Sequence, residues 1–295
     1  MEHHLHNHIA QKLSAELGEK VKIDTAKSLG GGCINHASCL KTSAGDFFLK
    51  WNQTATPDIF IREAECLREL AKAETELYIP EVFLATKPQD ELPAFLLTEF
   101  LQPPTSNQTA LDEKLGRGIA QLHRFQNDQY GFYHDNYCGA TPQLNHWSDD
   151  WIVFFGQQRI HELVKMIRQE RGLDKSSLKI YDQLIQKLPQ LIGHVPPASL
   201  NHGDLWSGNY MHSVRGPALI DPASYYADRE FDLAMMGMFG GFSERVWEAY
   251  QEEYPLENAW KERHNLYMLY HYLNHYYLFG GGYGQQSLSI ARKYL

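Results

Sequence analysis

Pro103-Pro104 divides this chain into two stretches with different hydrophobic periods. Successive prolines remove two backbone donors and push the preceding residue toward extended backbone, so neither a helix nor a central strand continues through them. Upstream the pattern is strand-rich. Residues 21–29, 34–42 and 46–51 read as strands separated by Gly30-Gly31-Gly32 and Ser43-Ala44-Gly45. Residues 82–85 and 95–101 supply two more. A short helix is expected over 8–18, and a second after Thr56-Pro57, which supplies an N-cap and a proline at the first helical position. Downstream the period is helical. Leu111, Leu115, Ile119 and Leu122 form one stripe, and helices are expected over 147–171 (capped by Ser148), 178–192, 229–239, 243–254, 260–279 and 285–294. The pattern predicts an α+β protein with a small N-terminal antiparallel-sheet lobe over 1–101 and a larger, mainly helical C-terminal lobe over 102–295.

At 295 residues the chain can bury a large core or two modest lobes sharing a cleft. Its formal charge of −9 leaves no basic excess for a phosphate backbone, so no nucleic-acid partner is expected. The longest nearly apolar run, 233–242, is too short to span a bilayer and holds three glycines, so no membrane partner is expected either. The four cysteines, Cys33, Cys39, Cys66 and Cys138, contain no C-x-x-C pair and suit a reducing cytoplasm, and no export signal is read at the N-terminus. The histidine-rich residues 1–8 read as a solvated leader, with adventitious metal binding as the lesser alternative.

The chemistry concentrates in His202-Gly203-Asp204-Leu205-Trp206-Ser207-Gly208-Asn209-Tyr210, followed by Leu219-Ile220-Asp221. Asp204 and Asn209 have the Asp-x-x-x-x-Asn spacing of a kinase catalytic loop, in which the Asp accepts a proton from the attacking hydroxyl and the Asn reaches a metal. Asp221 closes a short apolar segment that reads as a buried strand. A carboxylate there completes an oxygen site suited to Mg²⁺. A turn-rich surface loop is the plain alternative, but the tandem of both motifs disfavours it. Together with the lobe pattern this predicts a two-lobed protein-kinase-like fold that uses ATP.

Other residues fit around that loop. Lys50 sits in the otherwise apolar strand Phe47-Phe48-Leu49-Lys50-Trp51. Glu63 falls on the same helical stripe as Phe60, Leu67 and Leu70, where a carboxylate needs a cationic partner. The two are expected to pair and present the ammonium to ATP phosphates, rather than leave Lys50 in solvent. Gly31, Gly32 and Cys33 lie where a phosphate-covering loop belongs, since glycines permit close backbone approach. Oxidation of Cys33 is expected to block nucleotide binding if its thiol is activated there; a plain loop residue is the equal alternative. Glu99 and Leu101, just before the break, are the positional candidates for adenine recognition by backbone groups. Trp206 is positioned to stack on a sugar or amine substrate. Asp228 and Asp232 are read as fixing the catalytic loop through Arg229 or His202, and Asp228 is also a candidate substrate contact. The Tyr/His crowd over 267–277 reads mainly as core, with His275 the candidate substrate contact within it.

Taken together these segments resemble the fructosamine kinase (ketosamine 3-kinase) family, a branch related to aminoglycoside phosphotransferases. The resemblance runs through Gly31–Asn35, Phe47–Trp51, Trp151–Phe155 with Gln158-Arg159, His202–Asn209, Asp221-Pro222-Ala223, Tyr225–Glu230, Phe239–Phe242, Leu269–His275 and Leu278–Tyr283. Trp206-Ser207 favours the ketosamine branch, because aminoglycoside enzymes more often resemble His-Gly-Asp-Leu-x-Pro-Gly-Asn. The resemblance implies ATP-dependent phosphorylation of a sugar hydroxyl on a ketosamine (a fructosamine or ribulosamine adduct), free or protein-bound. The labile product then releases the amine, which is deglycation. By resemblance Asp204 is the catalytic base, Asn209 and Asp221 are the Mg²⁺ ligands, and Lys50 and Glu63 orient the phosphates. Ala227 stands where the family commonly has Gly and Asn201 where Leu is usual; neither is expected to touch the chemistry. Two other functions stay open at this point: a kinase of an aminoglycoside, choline or free sugar, and a redox-gated nucleotide-binding sensor without turnover. The chain is read as a monomer or as a disulfide-linked dimer through Cys33.

Overall fold

The computed structural model describes residues 2–30, 35–104 and 108–295. The first part begins with helix α1 (Glu2–Leu17), then strands β1 (Ile23–Leu29), β2 (His36–Thr42) and β3 (Gly45–Asn52), helix α2 (Ile59–Leu70), and strands β4 (Val82–Thr86) and β5 (Ala94–Glu99). The strands form one antiparallel sheet in the order β1-β2-β3-β5-β4. Alternation along β3 sends Phe47, Leu49 and Trp51 to one face, where Leu40, Phe95 and Leu97 join them. Leu5, Ile9 and Leu13 of α1 cover that face. Each such burial contributes roughly 1.5–3 kcal/mol, enough together to hold the helix on the sheet. The N-terminal residues are therefore not a solvated leader: the helix starts six residues before position 8, and Leu5 is buried.

The other face, with Ala94 and Leu96, packs against Phe60, Ala64 and Leu67 of α2. This helix begins at Ile59, not directly after Thr56-Pro57. Thr56 O accepts from Ile59 N, so those residues form the entering turn, while the Asp58 side chain makes no cap bond because Tyr137 and Arg62 occupy its oxygens.

The second part holds α3 (Gln108–Arg124), short strands β6 (Gln126–Asn127), β7 (Asn136–Cys138) and β8 (Thr141–Gln143), then α4 (Trp151–Val153), a π-helical stretch (Phe154–His161), α5 (Glu162–Arg171) and α6 (Lys175–Ile192). Four more strands follow: β9 (Ala198–Asn201), β10 (Tyr210–Ser213), β11 (Gly216–Leu219) and β12 (Tyr225–Ala227). Helices α7 (Glu230–Met238), α8 (Glu244–Glu253), α9 (Trp260–Phe279) and α10 (Tyr283–Lys293) complete the chain. The helix expected from 147 starts at Trp151, because Asp150 caps it by accepting from Ile152 N and Val153 N. Ser148 serves the turn before it, accepting from Asp150 N. Within the π-helical stretch Arg159 is fully buried, its guanidinium 3.9 Å from the Tyr225 ring centroid and bonded to Leu144 O and Asn145 Oδ1. Phe154, Phe155, Leu184, Phe231 and Leu266 are among the residues of the large core.

The two parts are joined by more than the connection after β5. Tyr78 N donates to Pro217 O and Leu219 N donates to Tyr78 O (2.8 and 3.1 Å), which lays an upstream residue beside β11. The connection itself is held to the second part, Val214 N donating to Gln102 O at 3.1 Å. Among the described residues no helix is long and apolar enough to cross a membrane.

Candidate active site

Two loops meet at the ends of β9 and β11. β12 pairs back onto β9, with Tyr225 opposite Asn201, and this returns the chain after Asp221 to the loop after Asn201. Ala223 N donates to His202 O (2.9 Å) and Ile220 N to Asn209 O (3.0 Å), so the two segments are stitched side by side. Gly203 has φ +86°, and a Cβ there would lie 2.1 Å from Ala223 O. Only glycine satisfies both demands. At Gly208 a Cβ would fall 2.2 Å from the Trp206 ring, which lies across that residue.

Buried partners hold the loop from beneath. Asp232, fully buried, accepts from His202 N (2.6 Å) and Gly203 N (2.8 Å) and is met by His123 of α3. Burial alone would raise its carboxyl, but His123, His202 and the Gly203 amide hold it below its ordinary value, so it stays ionised. The expected anchoring through His202 is thus made by Asp232. Arg229 instead donates to Tyr254 O and Pro255 O. His202 accepts from Asp204 N at Nδ1, which leaves Nε2–H to donate to Ile220 O at 2.9 Å. Burial lowers the imidazole, in keeping with this neutral tautomer.

Asp204 keeps an opening to solvent but is otherwise enclosed by protein. That enclosure pushes its carboxyl up to about 7, with the nearby Asp221 charge adding to the effect and Asn209 opposing it. Asn209 Nδ2 donates to Asp204 O (2.9 Å) and Oδ2 (3.1 Å), which fixes the amide orientation.

Lys50 joins the two parts of the molecule at this point. Its side chain comes from the α2 face of the sheet, opposite Leu96, and is buried. Nζ lies 3.0 and 2.9 Å from the Glu63 oxygens and 3.0 Å from Asp221 Oδ1. Burial would lower the ammonium, but Asp221 and Glu63 more than offset it and raise it, so the group is a fixed cation. Asp221 itself adopts φ +54°, a region that non-glycine residues seldom occupy and that recurs where function constrains the backbone. The Asn209 amide oxygen and the half-exposed Asp221 carboxylate are both hard oxygen donors carried on directly bonded segments, a donor set that fits Mg²⁺.

The other candidate residues divide. Trp206 is 38% exposed, its ring 6.2 Å from Phe239, which lies 5.2 Å from His275. Trp206 and His275 therefore belong to one aromatic row beside the catalytic loop, and His275 is not core, unlike the buried Tyr267, Tyr270 and His271. Asp228 is not available to a substrate: it is buried, accepts from Tyr267 OH (2.6 Å) and Glu230 N, and faces His194. Glu99 accepts from Tyr78 OH while its backbone amide donates to Glu81 O at 2.9 Å, and Leu101 is buried just beyond it. Gly31, Gly32 and Cys33 lie outside the described residues. Among the described residues Cys39, Cys66 and Cys138 are free and buried. Sequence reasoning missed His123, and Asn201 lies beneath the loop without touching the reacting groups. Asn201 Oδ1 accepts from Asp232 N, one bond from the catalytic loop, and Asn201 Nδ2 approaches Ala227 O.

A sheet lobe with a lysine–glutamate pair, facing a helical part that carries this loop, defines a two-lobed protein-kinase-like phosphotransferase. A thermostable mutant of an aminoglycoside phosphotransferase, solved in ternary complex with AMP-PNP and hygromycin B, shares the fold at TM-score 0.64 and 16% identity, with 96% of this chain and 98% of that one covered. The chain belongs to the fructosamine kinase family, whose sequence profile matches residues 5–295. It is 38% identical over 290 residues to a chloroplastic protein-ribulosamine 3-kinase of Oryza sativa subsp. indica, covering 94% of this chain and 81% of the relative. The crystal structure of a candidate fructosamine-3-kinase from Haemophilus somnus 129PT superposes at TM-score 0.86 and 29% identity, over 97% of this chain and 96% of that one.

Proposed function

We propose that this phosphotransferase moves the γ-phosphoryl group of ATP onto a sugar hydroxyl of a ketosamine, a fructosamine or ribulosamine adduct. The observation that carries this reading is the meeting of Lys50 with Glu63 and Asp221 beside the Asp204–Asn209 pair. Lys50, oriented by Glu63, binds the ATP phosphates, with Gly31, Gly32 and Cys33 covering them and backbone groups near Glu99 and Leu101 meeting the adenine. Residues 1–101 form the nucleotide lobe and 102–295 the acceptor lobe. Asn209 and Asp221 would hold Mg²⁺, which when bound neutralises charge developing on the transferred phosphoryl. Asp204 takes the acceptor hydroxyl proton as that oxygen attacks the γ-phosphorus; the bond to the bridging oxygen breaks and ADP leaves. With its carboxyl near 7, Asp204 is a stronger base than an ordinary aspartate and is largely ionised slightly above neutrality.

Support for the acceptor class comes from family membership, the rice relative's name and the exposed Trp206 ring, whose face suits a sugar or its protonated amine. Release of the amine from the phosphorylated product would make the reaction a deglycation step. The buried free thiols suit a cytoplasmic setting. The test is a panel of fructosyl-lysine, ribulosyl-lysine, aminoglycosides and simple sugars with ATP and Mg²⁺, scored for phosphorylated product by mass. Turnover of the two ketosamines is expected. Turnover confined to aminoglycosides would overturn the acceptor while keeping the phosphotransfer.

A further inference from the structure

The helix that carries Glu63 is tied to the second part of the molecule along its length. Just before its start, Asp58 Oδ1 accepts from Tyr137 OH at 2.7 Å. Midway, His134 faces Glu65 at 3.2 Å and Cys66 Sγ accepts from Asn136 Nδ2 at 3.4 Å. Near its end the buried Glu69 accepts from Tyr226 OH at 2.8 Å. All four partners, Tyr137, His134, Asn136 and Tyr226, come from β7 and the residues leading into it or from β12, none of which belongs to the sheet that α2 packs on.

Asn136 is the node of this arrangement. It is buried, and its amide uses every bond it can form: Nδ2 donates to Cys66 Sγ and to Ser224 O (2.8 Å), while Oδ1 accepts from Gln143 Nε2 (3.0 Å) and Asn145 Nδ2 (2.9 Å). Ser224 lies three residues beyond Asp221, and Gln143 Nε2 also reaches Ala223 O at 3.4 Å. One side chain therefore touches both the Glu63 helix and the segment that carries Asp221. Those are the two carboxylates between which Lys50 is held.

We propose that Asn136 is a positioning residue for nucleotide binding: it fixes α2 and the Asp221 loop relative to each other, with Tyr137 as its outer support. The inference rests on the phosphotransfer reading of Lys50, Glu63 and Asp221. The β7–β8 hairpin thus binds the Glu63 helix to the part of the molecule that carries Asp221. A merely structural asparagine would lower stability without changing how well the folded protein holds nucleotide.

The experiment measures direct binding of ADP with Mg²⁺ by calorimetry, alongside thermal melting, for Asn136→Ala, Tyr137→Phe and Tyr181→Phe. Tyr181→Phe removes a fully buried hydroxyl bond, to Ser287, that does not contact α2. Asn136→Ala is expected to weaken ADP binding roughly tenfold and Tyr137→Phe two- to threefold, the range expected when a coupled network loses one member. Tyr181→Phe should lower the melting temperature and leave binding unchanged. Acceptor KM should be unaffected in all three. Wild-type affinity in a folded Asn136→Ala protein overturns the proposal; should that variant not fold, wild-type affinity in Tyr137→Phe overturns it instead. Because ADP binding needs no acceptor, failure of the ketosamine assignment leaves this result readable. Absence of ADP binding by the wild-type protein would sink both.

Discussion

Asp204 shows how a single residue's surroundings set its chemistry and cost. Its carboxyl is pushed up to about 7 by enclosure and by Asp221. A general base must be ionised, so kcat/KM should rise with pH through about 7 and level off above it. Asp204→Asn should lose on the order of 10²–10⁴ in kcat and with it that rising limb; near-normal turnover would remove Asp204 from the role. Stability should move the other way. A carboxyl raised in the folded state is favoured while protonated, and that contribution is lost as pH rises from about 4 through 7. Asp204→Asn has no such titration. Urea melts should therefore find the variant gaining on the wild-type protein between pH 5 and 8.

Helices α3 and α8 cross so closely that side chains are nearly excluded. A Cβ on Gly116 would sit 2.2 Å from Val246 O and 2.9 Å from Ala249 Cβ. Gly116→Ala should destabilise the protein by about 1–3 kcal/mol, read from denaturant midpoints, while KM for both substrates stays the same in the folded fraction. From sequence alone a glycine within a helix only weakens it; the meaning of this one depends on a neighbour 130 positions later. The same asymmetry runs through the elements. Strands β1 to β5 were legible because alternation and glycine turns are local signals, and α9 was read to its ends. Strands β6 to β8, β9 and β12 escaped because two to four residues carry no measurable period. Lys50, Glu63, Asp204, Asn209 and Asp221, which the structure brings together, were singled out by spacing and by charges set on apolar stripes. Asn136 and His123 were not, since a buried polar residue declares itself only by partners far away in the chain. Asp228 misled for the reverse reason: its position after the catalytic strands suggested a role that its burial against Tyr267 excludes.

At the scale of the whole molecule, the chain does not wait for Pro103-Pro104 to change sides. Tyr78 has already formed ladder bonds with Pro217 and Leu219. A protein cut between 101 and 102 should thus fail to yield two self-sufficient pieces. Produced together, 1–101 and 102–295 are expected to co-purify as one folded, ADP-binding complex; produced separately, each should show non-cooperative melting. Two independently folded fragments would contradict this. The same bridge bears on how such proteins diversify. A small lobe borrowed from a relative brings its own residue to the place of Tyr78, and it must meet a β11 edge that was selected alongside another. Recombination at the proline break therefore separates a matched pair, and productive exchange should carry the 210–219 hairpin with the lobe it serves.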